Sequence, residues 1–158
     1  LAEMKLYENS KAAYVKFMKE IGYKPYAFET TIVSKDLGIA GTLDLICEYK
    51  GKLCILDWKT GFVGSSARWQ LSAYKYLFEE NYGEEINCVA VKLSKTDGSY
   101  FPVEYQNYNM SLRGYIGVLS AFQDEHYKEL MKVWPDYWNK DFSGIKHKEW
   151  KWTYENYI

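Results

Sequence analysis

The sequence has 158 residues, a single-domain length, with 47% hydrophobic and 26% charged residues; that is ordinary globular usage and excludes a disordered or low-complexity chain. No apolar run approaches the ~18 residues of a membrane span, and no basic segment leading into an apolar stretch reads as a secretory signal, although the start at Leu1 leaves an upstream segment open. Lys and Arg number 20 against 21 Asp and Glu, for a net charge of -1, so the composition carries no broadly basic surface for nucleic acid.

Residues 3–20 place Met4, Leu6 or Tyr7, Tyr14, Phe17 and Met18 at helical spacing among Lys and Glu. Gly22 reads as the stop of that helix, and Pro25 bars its continuation. Residues 26–34 have extended character, and Lys35-Asp36-Leu37-Gly38 reads as a turn into a second strand. Ile39–Glu48 and Leu53–Lys59 read as two strands joined around Lys50-Gly51. From Ser65 to Tyr82 the pattern is helical, with Ser65 or Ser66 as N-cap and Gly83 just past the end. A strand over 86–94, a turn at Thr96-Asp97-Gly98 and a strand over 100–105 make a second hairpin. A helix follows from Ser111 to Val133 and ends before Pro135, while 136–158 is rich in Trp, Tyr and Lys without a period. This order predicts one α/β (α+β) domain over 1–158, a central mixed β-sheet flanked by helices.

The informative segment is Gly41-Thr42-Leu43-Asp44 followed by Asp57-Trp58-Lys59. With Lys50-Gly51 as a two-residue loop, Tyr49 pairs with Lys52, Cys47 with Cys54 and Asp44 with Asp57. Opposed residues of an antiparallel pair hold their Cβ atoms about 4.5–5.5 Å apart, so both carboxylates share one face, and Lys59 projects to it as well. Their neighbours (Leu43, Leu45, Ile46, Ile55, Leu56) are strand-forming and apolar. Two adjacent carboxylates there repel one another and persist when a divalent cation neutralises them or when one holds a proton. Hard oxygen donors with few dedicated ligands suit Mg²⁺ or Mn²⁺, and an ammonium beside them offsets charge on a reacting phosphate. The competing reading is an ordinary surface ion pair between Lys59 and the aspartates.

In order, the strings Ala40-Gly41-Thr42-Leu43-Asp44-Leu45-Ile46, Leu56-Asp57-Trp58-Lys59-Thr60-Gly61 and Gln70-Leu71-Ser72-Ala73-Tyr74 resemble the PD-(D/E)XK nuclease superfamily, in its RecB-like, phage-type exonuclease branch. The resemblance is specific over residues 28–78 and looser beyond. It implies a restriction-endonuclease-like core and a metal-dependent deoxyribonuclease, an exonuclease of recombination, repair or phage DNA metabolism. It implies Asp44 and Asp57 as metal ligands with the main-chain carbonyl of Trp58, Mg²⁺ or Mn²⁺ as cofactor, and Lys59 as the group that positions the attacking water. Glu29, on the preceding strand, is either a further acidic residue of the site or a turn-facing charge. Gln70 and Tyr74, one helical turn apart, contact DNA or support the site, with core packing as the alternative for Tyr74. DNA ends or single strands are the implied partner.

Two features depart from the pattern. Many RecB-like members carry a histidine on an upstream helix, whereas only His126 and His147 occur here; and Cys47, Cys54 and Cys88 lack the layout of an iron–sulfur cluster. Buried free thiols in a reducing, cytoplasmic setting are the expectation. The aromatic fraction is 18%, with Tyr 16 and Trp 6; these rings either pack or stack on unpaired bases, Trp58 and Trp69 being the candidates nearest the cleft. Arg68, Lys92 and Lys95 add local positive charge, and Lys146-His147-Lys148-Glu149-Trp150-Lys151-Trp152 is either a nucleic-acid-facing patch or a solvated end. The neutral balance favours a small footprint or affinity supplied by a partner protein or a second copy. The rival functions are a catalytically silent DNA-binding or scaffold module of the same fold and an unrelated two-carboxylate hydrolase of nucleotides.

Overall fold

The computed structural model describes residues 2–133; the expectations for Pro135, the aromatic tail and the Lys146–Trp152 segment lie outside them. Residues up to Ala121 form one compact unit, and a second begins at Phe122. In the first, helix α1 (Ala2–Glu20) leads into strands β1 (Tyr23–Ser34), β2 (Ile39–Tyr49) and β3 (Lys52–Lys59), followed by α2 (Ser65–Tyr82), β4 (Asn87–Leu93), β5 (Tyr100–Glu104) and, as far as Ala121, α3 (Tyr108–Glu125). The strands form one sheet in the order β1-β2-β3-β4-β5. It is mixed: β1-β2-β3 is an antiparallel meander, β3 and β4 run parallel, and β4-β5 is antiparallel. A parallel neighbour needs a crossover, and α2 provides it.

The turns follow their residues. Lys50 and Gly51 both have positive φ (52° and 74°), the two-residue turn whose twist matches a hairpin, and the ladder runs Tyr49↔Lys52, Cys47↔Cys54, Leu45↔Leu56. Gly83 ends α2 in the left-handed conformation, its N–H bonded to the Glu79 carbonyl. Pro25 sits inside β1, which is tolerable because β1 is an edge strand and the ladder shifts register between Pro25 and Ala27.

Several boundaries differ from expectation. Gly64, not Ser65 or Ser66, caps α2, and it offers no side-chain acceptor. Gly22 is absent from the left-handed positions, so α1 ends without that device. The last helix starts earlier, at Tyr108, and breaks at His126 before the short α4 (Tyr127–Val133) in the second unit. There the His126 ring stacks on Phe122 (centroids 4.2 Å apart), and its Nδ1 lies 2.9 Å from the Phe122 carbonyl oxygen.

Two cores lie on the two faces of the sheet. On the α1 face, fully buried Phe17 sits among the rings of Tyr49, Trp58 and Tyr100, at centroid distances of 6.3, 5.3 and 5.2 Å. Part of the aromatic surplus therefore forms one cluster, stacked at Tyr49 and edge-to-face at Trp58 and Tyr100, each pair worth about 0.5–1.5 kcal/mol beyond its area. On the α2 face, Leu71, Leu77 and Phe78 pack on Ile32, Leu43, Ile55, Ile86 and Ala90.

Candidate active site

The expected register holds from the loop up to Leu45↔Leu56 and then stops. Asp44 and Asp57 are not a ladder pair, and this corrects the simple cross-strand geometry. Instead the Asp44 carboxylate takes over a backbone role: its Oδ2 accepts the N–H of Trp58 at 2.8 Å, a bond that a continued ladder would give to the main chain of β2. From that point β3 is held on its other edge, Asp57 opposite Ala90, Trp58 opposite Val91 and Lys59 opposite Lys92.

The same residue marks an irregularity in β2. Leu45 belongs to the core under α1, whereas Leu43 belongs to the core under α2. Residues two apart on a regular strand share a face, so β2 changes face at Asp44. Across the β1 ladder, Phe28 pairs with Leu45 and Thr30 with Leu43, leaving Glu29 and Asp44 as the residues skipped between them. Glu29 has φ 47°, a left-handed conformation costly for a side-chain-bearing residue. Glu29 is exposed. It therefore shares a break in the ladder with Asp44.

Asp57 is 2% exposed. Burial pushes its carboxyl above the ordinary carboxylate value, the ammonium of Lys59 pulls it back, and the Asp44 charge pushes it further up. Lys59 Nζ lies 2.6 Å from Asp57 Oδ2 and donates to Gln70 Oε1 at 2.8 Å; Gln70 Nε2 in turn donates to Tyr74 Oη at 2.9 Å. An unbroken polar chain thus runs from β3 onto α2. The Asp57–Lys59 contact is an ion pair, and beyond it Asp57 Oδ2 is buried with no hydrogen-bond partner among the described residues. A buried carboxylate oxygen whose partner among the described residues is the Lys59 ammonium keeps lone-pair capacity to spare, and it is the kind of donor that a cation completes.

Gly41 has a local reason to be glycine: a Cβ there would lie 2.6 Å from Tyr74 Cε1. The Tyr74 ring rests on the β2 backbone at that point. Burial raises its hydroxyl above the usual tyrosine range; the Gln70 hydrogen bond opposes this, and the Asp57 and Asp44 charges add to it.

The other candidates sit differently. The Trp58 indole is on the α1 face, edge-on to Tyr14 at 5.0 Å, so its ring is not beside Asp57 and only its main chain belongs near the site. Trp69 is half-buried and faces α3, where a Cβ on Gly114 would lie 2.7 Å from its Nε1. Arg68 is exposed on the first turn of α2. Residue spacing gave no hint of Tyr105. Its Oη is buried with no hydrogen bond among the described residues; burial raises its hydroxyl, the Arg68 charge lowers it and the Asp57 charge raises it. That places the ring within electrostatic range of the carboxylate.

Among the described residues no three His, Cys, Asp or Glu side chains gather as a metal cluster. The donor set expected from the sequence, two carboxylates and the main-chain carbonyl of Trp58, would suit a hard cation that keeps several waters and shares oxygens with a substrate.

The description PD-(D/E)XK nuclease superfamily fits residues 3–144 of the chain. A Homo sapiens protein named mitochondrial genome maintenance exonuclease 1 is 32% identical over 82 residues, covering 46% of this chain and 24% of that protein. The Mus musculus protein of the same name is 28% identical over 82 residues, again 46% of this chain and 24% of that protein. The similarity thus spans about a quarter of the length of these curated relatives.

Proposed function

The chain belongs to the PD-(D/E)XK nuclease superfamily, and from that premise we propose that it is a metal-dependent exodeoxyribonuclease hydrolysing phosphodiester bonds at DNA ends. The observation that carries this reading is the buried Asp57, its Oδ2 ion-paired at 2.6 Å to a Lys59 that is itself held by Gln70. An isolated surface ion pair would be exposed, whereas the Asp57 side chain is 3% and Lys59 23% exposed. The exonuclease assignment draws on the name of the curated relatives.

Asp44, Asp57 and the main-chain carbonyl of Trp58 would hold Mg²⁺ or Mn²⁺. Such an ion supplies charge neutralisation at the phosphate and a bound water of lowered pKa. The chain's own groups do the rest. Lys59 Nζ, fixed from two sides, presents its remaining N–H to the attacking water or to a non-bridging oxygen and offsets the charge that develops there. Gln70 orients Lys59, Tyr74 orients Gln70, and Gly41 gives Tyr74 its place. Water attack forms one P–O bond and breaks another, leaving a phosphomonoester and a free hydroxyl. Glu29, at the same break in the sheet as Asp44, is a further acidic group of the site. Arg68 contributes positive charge for the DNA backbone.

The test is cleavage of end-labelled single- and double-stranded DNA with Mg²⁺ or Mn²⁺, with EDTA and the Asp57→Ala and Lys59→Ala variants alongside. Metal-dependent cleavage lost in both variants supports the reading, and the label pattern separates end from internal cleavage. A folded wild-type chain that cleaves nothing in either metal overturns it and favours a binding module.

A further inference from the structure

We propose that the edge of the sheet beside Lys59 is a binding subsite for single-stranded DNA, in which Lys92 takes a backbone phosphate and Phe101 stacks on an unpaired base; this deepens the nuclease reading and rests on it for the position of the scissile phosphate. The register puts the three residues in one row. Lys59 is the parallel partner of Lys92, and Lys92 the antiparallel partner of Phe101. Registered partners project to the same face. That face is the one carrying Asp57, because Ile55, Ala90 and Val103, each two residues back along its strand from Asp57, Lys92 and Phe101 or on from it, belong to the core beneath α2. Adjacent strands lie about 4.8 Å apart, so the row leads outward from Lys59 in steps of that size.

Each member is anomalous without a ligand. Two lysines directly opposite one another repel. Lys59 is neutralised by Asp57, but Lys92 is exposed and has no anionic partner among the described residues. Phe101 is 55% exposed at the strand edge, although the sheet face inward of it is apolar core. Along the chain rather than across the sheet, the loop that follows Lys59 carries Phe62 at 90% exposure, the highest of any large apolar side chain among the described residues. A lysine next to an exposed phenylalanine ring, in the row that leads out from Lys59 of the proposed phosphodiester-cleaving site, matches a strand whose phosphates are charged and whose bases are free to stack. A duplex offers no unpaired base face to Phe101. The row therefore selects single strands.

The probe is a fluorescein-labelled oligo(dT) and a blunt duplex of equal length, titrated by fluorescence anisotropy in Ca²⁺ and again in EDTA, over a range of salt. Base stacking on an aromatic side chain predicts that Phe101→Ala weakens oligo(dT) binding by roughly 5- to 150-fold with the salt slope unchanged, while Phe101→Tyr binds as wild type. Lys92→Ala should flatten the slope of log K against log salt by about 0.7, the value for one phosphate contact on a single strand. Tyr7→Ala, at a still more exposed aromatic (64%) on α1, should change neither. Equal affinity of wild type for both probes, no oligo(dT) binding in either buffer, or variants that melt as wild type and bind with unchanged affinity and slope would each overturn the subsite. Cleavage by wild type together with unaltered binding in the variants leaves the nuclease reading standing and the subsite refuted. Variant-sensitive binding by a chain that cleaves nothing does the reverse.

Discussion

Replacing Asp44 by Asn or by Ala separates its two roles. Asp44 Oδ2 accepts the Trp58 N–H at 2.8 Å, and that amide has left the β2 ladder to meet it. Asn keeps an acceptor oxygen at the same reach and removes the negative charge that raises Asp57. Ala removes the acceptor and leaves a partly buried N–H without a partner, a loss of about 1–3 kcal/mol. For a chain of this size each kcal/mol shifts Tm by roughly 2–4 °C, so Ala should melt roughly 2–12 °C below wild type in EDTA. Asn should melt at or above wild type under the same conditions. With a divalent ion at ~100 times its Kd, wild type should gain about 2.7 kcal/mol and neither variant should respond. Neither variant should cleave DNA. Calorimetry in EDTA and in Mg²⁺ or Mn²⁺ reads all of these. An Ala variant as stable as Asn would refute the architectural role of the carboxylate, and an Asn variant still stabilised by metal would refute its role as a ligand.

Gly41→Ala places a Cβ against the Tyr74 ring, so it should cost about 1–3 kcal/mol, as overpacking does, and lower cleavage through Tyr74 and Gln70; Gly41→Ala combined with Tyr74→Leu should recover the melting temperature but not the activity. Because burial raises Asp57, the metal-free native state holds its proton more tightly than the unfolded chain; the stability this contributes is present below the ordinary carboxylate value and is lost as pH rises through the raised one. Metal binding needs the ionised form, so the rise in Tm on adding Mn²⁺ should grow over that same window, and a rise independent of pH, or its survival in Asp57→Asn, would contradict the assignment. Burial pushes the Cys47 thiol up to about 12 and those of Cys54 and Cys88 above their ordinary values, so a thiol reagent should leave all three unmodified in the native chain at neutral pH and titrate them in denaturant.

Much of this arrangement was legible in the sequence because local signals agreed with one another. The Lys50-Gly51 loop fixed a register that holds to Leu45↔Leu56, and the spacing of Gln70 and Tyr74 put both on the helix face that meets Lys59. What the pattern could not carry is what happens where the period breaks. A strict alternation predicts Asp44 opposite Asp57, two carboxylates forced together on a regular ladder. In the structure β2 changes face between Leu43 and Leu45, Glu29 adopts a left-handed φ across from it, and the Asp44 carboxylate ties down Trp58. The cue was Leu43-Asp44-Leu45-Ile46 itself, which offers both faces an apolar residue, and only the two separate cores decide which leucine goes where. Trp58 illustrates the same limit. Its place between Asp57 and Lys59 suggested a ring in the cleft, but a strand sends neighbours to opposite faces, and the indole joins the Phe17 cluster under α1. Tyr105 and Lys92 lie far along the chain from Asp57 and reach its face through the parallel crossover of α2, which is tertiary information. The site is thus built where two regular periods fail together. Asp57, two residues on from Ile55 on the face beneath α2, is 2% exposed, and the ion pair with Lys59, held from α2, keeps that carboxylate in place.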